Sequence, residues 1–158
     1  MPDPRHETVS YKRSRFSTRL PTDRLYAPSH FWILPIETDL WRVGFTKFAM
    51  RMLGELVEHG FEVKVGEEVR VGQTIGWIEG FKAITDLYCV LDGTFEGSNA
   101  VLDSDITLAD SDPYGNGWLY VVRGRPDANA TDVHGYTSLL DLTIDKMQSG
   151  SQPPESCA

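Results

Sequence analysis

Cysteine is nearly absent: Cys89 and Cys157 are the only two in 158 residues, too few for a disulfide framework. Cys89 lies in the apolar run from Leu87 to Leu91, where a buried, inert thiol is the ordinary expectation, and Cys157 stands one residue from the end. No CxxC pair is present, and both thiols point to a reducing compartment. No stretch approaches the roughly 20 apolar residues that cross a bilayer, so no membrane partner is expected. The opening Met1-Pro2-Asp3-Pro4-Arg5-His6 has no apolar core and does not read as a secretory signal; the expected location is the cytoplasm. His6, His30, His59 and His134 show no metal-ligand spacing, and His30, beside Phe31 and Trp32, reads as a structural, hydrogen-bonded side chain. Asp103-Ser104-Asp105 and Asp110-Ser111-Asp112 resemble pieces of a calcium loop. They lack its third ligand, central glycine and closing glutamate, and read as turns and caps. No Ser/His/Asp arrangement and no glycine-rich phosphate loop occurs. Without an acid, base or nucleophile set, an enzyme in its own right is disfavoured.

What is there is acidic and ordinary in hydropathy, with 41% apolar and 24% charged residues. Of 15 basic and 23 acidic residues, six (Arg5, Lys12, Arg13, Arg15, Arg19, Arg24) and three fall in residues 1–24. That leaves nine against twenty, a net of −11, in the remainder. Such a body repels phosphate backbones, which argues against nucleic acid, and suits protein partners carrying basic patches. Residues 1–24 read as a solvated basic extension, with a docking arm or a transit-like leader as alternatives. Asp3, Glu7 and two early prolines spoil an amphipathic leader helix.

Apolar periodicity places order from about Tyr26 onward. His30 to Ile36 reads as a strand that Pro35 breaks or confines to an edge, and Leu40 to Phe45 as a second. Thr46 is placed to cap a two-turn helix over 47–53, with Phe48, Met52 and Ala49 inward and Gly54 as its stop. Leu56 to His59 returns to strand. Val63 to Gln73 alternates apolar and polar residues between glycines, as short strands and turns do. Thr74 to Glu79 predicts a strand, Gly80-Phe81-Lys82 a turn, and Ala83 to Leu91 the return strand, ended by Asp92-Gly93. Trp118 to Val122 closes the β region, and 131–147 predicts one amphipathic helix. Trp32, Trp41, Trp77 and Trp118 each lie in a strand pattern and read as core.

Lys82 is the residue this pattern singles out. It sits at the turn between two strands, with Glu79 three residues before and Asp86 four after, and a hairpin tip projects its side chain into solvent unaided. An exposed lysine alone is a poor nucleophile at neutral pH, but it is well presented to a modifying enzyme. Val63 through Gln73, followed by Glu79-Gly80-Phe81-Lys82-Ala83, resembles the biotinyl/lipoyl carrier superfamily. Several segments are similar, in order and spacing, to the glycine cleavage H-protein family: His30-Phe31-Trp32, Trp41 to Thr46, Leu53-Gly54-Glu55, Glu79 through Asp86, and Asp112 to Trp118. This likeness covers about residues 26–147.

The resemblance implies a mainly β, barrel-sandwich hybrid of the lipoyl-carrier type with two or three short helices. It divides the chain into a basic extension (1–24), an H-protein-like lipoyl domain (25–147) and a flexible tail (148–158). It also implies lipoate held covalently on Lys82. Biotin domains place methionine on both sides of the modified lysine, whereas Phe81 and Ala83 stand here, and lipoyl domains carry alanine after it. In H proteins an acidic residue three before the lysine, another four after and a glycine sixteen before help the lipoate-attaching enzyme. Glu79, Asp86 and Gly66 occupy those places. H proteins usually read Glu-Ser-Val-Lys-Ala at the site and His-Glu-Trp near the start, where this chain has Gly80-Phe81 and Phe31. Those departures and the basic extension look similar to lipoate-binding proteins that serve a heterodisulfide-reductase-like complex in bacterial sulfur oxidation. The expectation is therefore a non-catalytic carrier, monomeric, with sulfur oxidation placed ahead of glycine cleavage enzymes. A further alternative is an H-like interaction protein that has lost the arm.

Overall fold

The computed structural model describes residues 7–149. The chain opens with a two-stranded ribbon, β1 (Thr8–Arg13) and β2 (Phe16–Pro21), joined through Ser14 in the left-handed region (φ 58°). The expected solvated extension is thus, over these residues, a packed hairpin. Its register sets Val9 opposite Leu20 and Arg13 opposite Phe16, so period-two alternation puts Tyr11, Phe16 and Leu20 on one buried face. The interspersed basic residues had masked that alternation.

A six-stranded antiparallel sheet follows the order β3 (Leu25–Tyr26), β4 (Phe31–Glu37), β5 (Leu40–Phe45), β11 (Tyr120–Pro126), β10 (Leu91–Ser98) and β7 (Glu68–Val69). A three-stranded antiparallel sheet is ordered β6 (Leu56–Phe61), β8 (Thr74–Gly80), β9 (Ile84–Tyr88). The main core lies between the two, with Ile33, Val43, Phe95 and Val122 meeting Ile75, Ile78 and Leu87. A second core covers the other face of β4: Trp32 packs there with the ribbon and with Tyr136, Leu140 and Ile144 of the long helix α4 (Val133–Gln148). Alternation along β4 serves both, since Phe31 and Ile33 belong to the first core and Trp32 to the second. The architecture is the mainly β sandwich that the resemblance implied.

Several expectations hold at residue level. Pro35 lies where β4 has lost its β3 neighbour, which pairs only with Trp32 and Ile33. Helix α1 (Lys47–Leu53) is capped by the Thr46 hydroxyl accepting from Ala49 N at 3.3 Å, and it stops at Gly54. Its inward face differs: Met50 is buried and Met52 is 44% exposed. The reason is that α1 touches both cores, Phe48 in one and Ala49, Met50 and Leu53 in the other. The return strand also ends early. The chain leaves β9 at Tyr88 and crosses through buried Cys89 and Val90 into the other sheet, so Asp92 and Gly93 lie inside β10. One apolar run spans the switch of sheets and hides it. Two single-turn helices, α2 (Ala100–Ser104) and α3 (Leu108–Ser111), bring the helices among the described residues to four rather than two or three. Both are too short to show a helical period. Asp105 and Asp112 hold turns there, accepting from Thr107 N at 3.1 Å and Asn116 N at 2.8 Å. Of the tryptophans, Trp32 is fully buried, while Trp77 faces outward over Gly60. Most of the expected tail, Cys157 included, lies outside the described residues.

Candidate functional site

The β8–β9 hairpin carries the site. Its last strand pair is Glu79 with Ile84, and Gly80 N donates to Ala83 O at 2.8 Å to close the turn. Phe81 and Lys82 form the apex, both exposed. Their backbones are not free, however. Phe81 N donates to Glu55 O and Lys82 N to Leu53 O, each at 2.9 Å. A helix leaves its final carbonyls without internal partners, and here the apex amides satisfy carbonyls at and just beyond the end of α1. The Lys82 ammonium donates to a third carbonyl, that of Arg51, at 3.0 Å, a placement that also suits the negative end of a helix dipole. The expected unaided tip is therefore a clamped one. The side chain remains outside the core and in no ion pair with a described residue.

Clamping requires close approach. Gly54 adopts φ +76°, and a Cβ on it would lie 2.9 Å from Lys82 Cγ. A Cβ on Gly80 would run into the Leu53 carbonyl. Two glycines thus let the turn lie against the helix end.

The acidic pair expected to mark the site is brought together. Register sets Glu79 opposite Ile84 and Asp86 opposite Trp77, so both carboxylates share the outer face, diagonal to one another and both exposed. Glu58 of β6, opposite Glu79, extends the acidic face. Gly66 is placed elsewhere. It holds the Lys64–Glu67 turn at φ +95° and donates to Phe95 O at 2.8 Å, within the other sheet. Its requirement is conformational.

Sequence reasoning missed an apolar groove of about 380 Å³ beside the apex. Phe31, Ala49, Met52 and Leu53 form one wall, and Ala83 and Ile84 the other. It also missed how much apolar surface the apex leaves in water: Phe81 is 76% and Ile84 68% exposed. The available signal was two bulky apolar residues flanking a turn that has nothing to bury them.

His30 and Cys89 are committed to structure. His30 Nδ1 lies 2.8 Å from the Tyr136 hydroxyl, itself 2.8 Å from the Thr46 hydroxyl, and burial lowers the imidazole pKa to about 4. Burial raises the Cys89 thiol above its ordinary value, away from a reactive thiolate. Among the described residues no three His, Cys, Asp or Glu side chains cluster as metal ligands. The arrangement presents one amine, rigidly, next to an apolar groove.

The family model described as glycine cleavage H-protein matches residues 24–142. A glycine cleavage system H protein of Corynebacterium jeikeium is 38% identical over 122 residues, covering 75% of this chain and 95% of the relative. That of Mycobacterium leprae is 35% identical over 126 residues, covering 80% and 90%. The crystal structure of a glycine cleavage system H protein from Mycobacterium marinum superposes with a TM-score of 0.69 at 31% identity, covering 77% of this chain and 99% of that one. The ribbon, Thr8–Pro21, precedes the matched region.

Proposed function

The chain belongs to the glycine cleavage H-protein family, and from that membership we propose that Lys82 is its lipoyl attachment site and that it serves as the H protein of a glycine cleavage system. Members of the family carry lipoate covalently on a lysine and are carriers, not enzymes. The observation that carries the assignment to Lys82 is its position: an exposed amine at the apex of a strand turn, whose two apex amides and the ammonium itself donate to carbonyls at and just beyond the end of α1.

When bound, a lipoyl group supplies a dithiolane whose opening and exchange are its own chemistry. The chain's residues do the remainder. The clamped turn fixes where the arm begins, so each transfer becomes a local encounter at an effective concentration on the order of mM. The groove walled by Met52, Leu53 and Ile84 offers an apolar rest for a hydrocarbon arm rooted at its rim. Glu79 and Asp86 mark the turn for the lipoate-attaching enzyme, and Gly66 contributes through the turn it permits. Partner enzymes with basic patches suit the acidic face around the apex. The carrier acts as a monomer in the cytoplasm; no helix among the described residues is long and apolar enough to cross a membrane.

Sulfur oxidation stood first on sequence alone, and the relatives reverse that order, because they are glycine cleavage H proteins over 90–95% of their own length. The sulfur reading keeps the features that suggested it: the Gly80-Phe81 pair before the lysine, with its ring out in solvent, Phe31 after His30, and a basic N-terminal segment ahead of the matched region. Reconstitution separates the two. The lipoylated chain, added to glycine cleavage enzymes lacking their own H protein, is expected to restore glycine-dependent CO2 release, and the Lys82→Arg chain is not. Failure there, with turnover restored in a heterodisulfide-reductase-like system instead, would move the function to sulfur oxidation.

A further inference from the structure

At the end of the β8–β9 hairpin remote from Lys82 lies an open cleft of about 510 Å³, lined by Asp39, Arg70, Asp92, Arg123, Gly124 and Arg125. Arg70 precedes β8 by four residues and Asp92 follows β9 by four. The length of β8 therefore sets the cleft on the order of 20 Å from the apex. We propose that this cleft is a binding site for a small hydroxylated phosphomonoester dianion.

Three arginines in one cleft are unexpected in a chain of net charge −8. Their convergence is built by the strands. Arg123 and Arg125 are two apart on β11 and so share a face, opposite Thr94 and Asp92 of β10. The third is fixed by a turn: Asp92 Oδ1 accepts from Val71 N at 2.9 Å, which pins the segment carrying Arg70 against β10. Arg123 is loosely occupied, donating to Thr38 O at 3.3 Å and lying 3.7 Å from both Glu37 and Glu96. The guanidinium groups of Arg70 and Arg125 have no hydrogen-bond or ion-pair partner among the described residues. These two exposed guanidiniums make no contact that returns stability to the fold, and they line the cleft with their donors free.

A phosphate can engage both. Its oxygens match the guanidinium fork in pairs, and its two charges answer the two unpaired arginines. The rest of the lining defines the ligand's body. No apolar side chain lines the cleft, so an acyl chain or aromatic ring gains nothing there. The Asp39 carboxylate and the second oxygen of Asp92 are acceptors, which suits hydroxyl groups. A long polyanion is disfavoured, since it would meet the acidic body as well as the cleft. An acidic protein segment is the competing occupant.

The test titrates the full, isotope-labelled chain with glycerol 2-phosphate, inorganic phosphate and succinate at constant ionic strength, followed by amide resonances. Glycerol 2-phosphate is expected to give saturable shifts confined to Asp39, Val71, Gly72 and Gly124. It should bind at least as tightly as inorganic phosphate and more tightly than succinate. Replacing both exposed arginines, Arg70→Gln with Arg125→Gln, should weaken it about tenfold or more, with the thermal midpoint and the lipoylation of Lys82 unchanged. If the double variant folds poorly, Arg70→Gln alone should show the same loss at smaller size. Non-saturating shifts spread over all basic residues, binding that survives the substitutions, or succinate binding as tightly would each overturn the assignment. So would saturation by an acidic peptide and not by glycerol 2-phosphate.

Discussion

Gly80 and Gly54 decide where Lys82 stands. Any side chain on Gly80 meets the Leu53 carbonyl, and Gly54 needs both a left-handed backbone and clearance from Lys82. Gly80→Ala is expected to destabilise the protein by about 1–3 kcal/mol, read by urea denaturation. It should also slow lipoylation, because the apex must lift from α1. His30 makes a second prediction at this scale. Burial holds its pKa at about 4, below the value of about 6.5 for an unfolded chain. The folded protein thus refuses a proton that the unfolded chain accepts. Full stability is present above pH 6.5 and is lost as pH falls toward 4, by at most about 3 kcal/mol. His30→Asn, which tolerates the positive φ at this position, should flatten that limb of the urea midpoint against pH. An unchanged slope would contradict a buried neutral imidazole.

Elements differ in how plainly the sequence announces them. The ends of helix α1 were legible to the residue, because Thr46 and Gly54 are chemical punctuation, but its inward face was not, because it packs on two cores. The turn at Lys82 was legible because two apolar runs flank it. The ribbon was not, since Lys12, Arg13, Arg15 and Arg19 interrupt a short alternation whose buried face is recognisable only once α4 lies against it. There Tyr11 donates to Asp141 at 2.8 Å, and Arg13 bridges to Asp145. The clamp on the apex was equally hidden: two of its three hydrogen bonds join backbone to backbone and the third ends on a backbone carbonyl, between segments about thirty residues apart, and main-chain acceptors leave no side-chain signature. The groove shares that origin, because its walls come from four separate elements. Phe16 stacks edge-on against Phe48 at 5.4 Å, so Phe16→Ala should cost about 3 kcal/mol in chemical denaturation. Lipoylation of the folded variant should be unaffected, because the apex rests on α1 backbone and not on the ribbon.

For the whole molecule the charge pattern and the apolar apex act together. A body of net −11 beyond residue 24 surrounds the apex, and around Lys82 it frames bare Phe81, Ile84 and Met52. That combination suits a carrier that must be gripped and released by several enzymes. Buried His30 and Cys89 are spent on packing, and the chemistry of this family arrives on a lipoyl arm. The most direct test of that arrangement is intact mass spectrometry of the full chain after expression with an active lipoate-attaching enzyme. The wild-type chain is expected to gain the mass of one lipoyl group and the Lys82→Arg chain none. An unchanged wild-type mass, or a lipoyl mass that survives in Lys82→Arg, would contradict the assignment of Lys82 as the carrier residue.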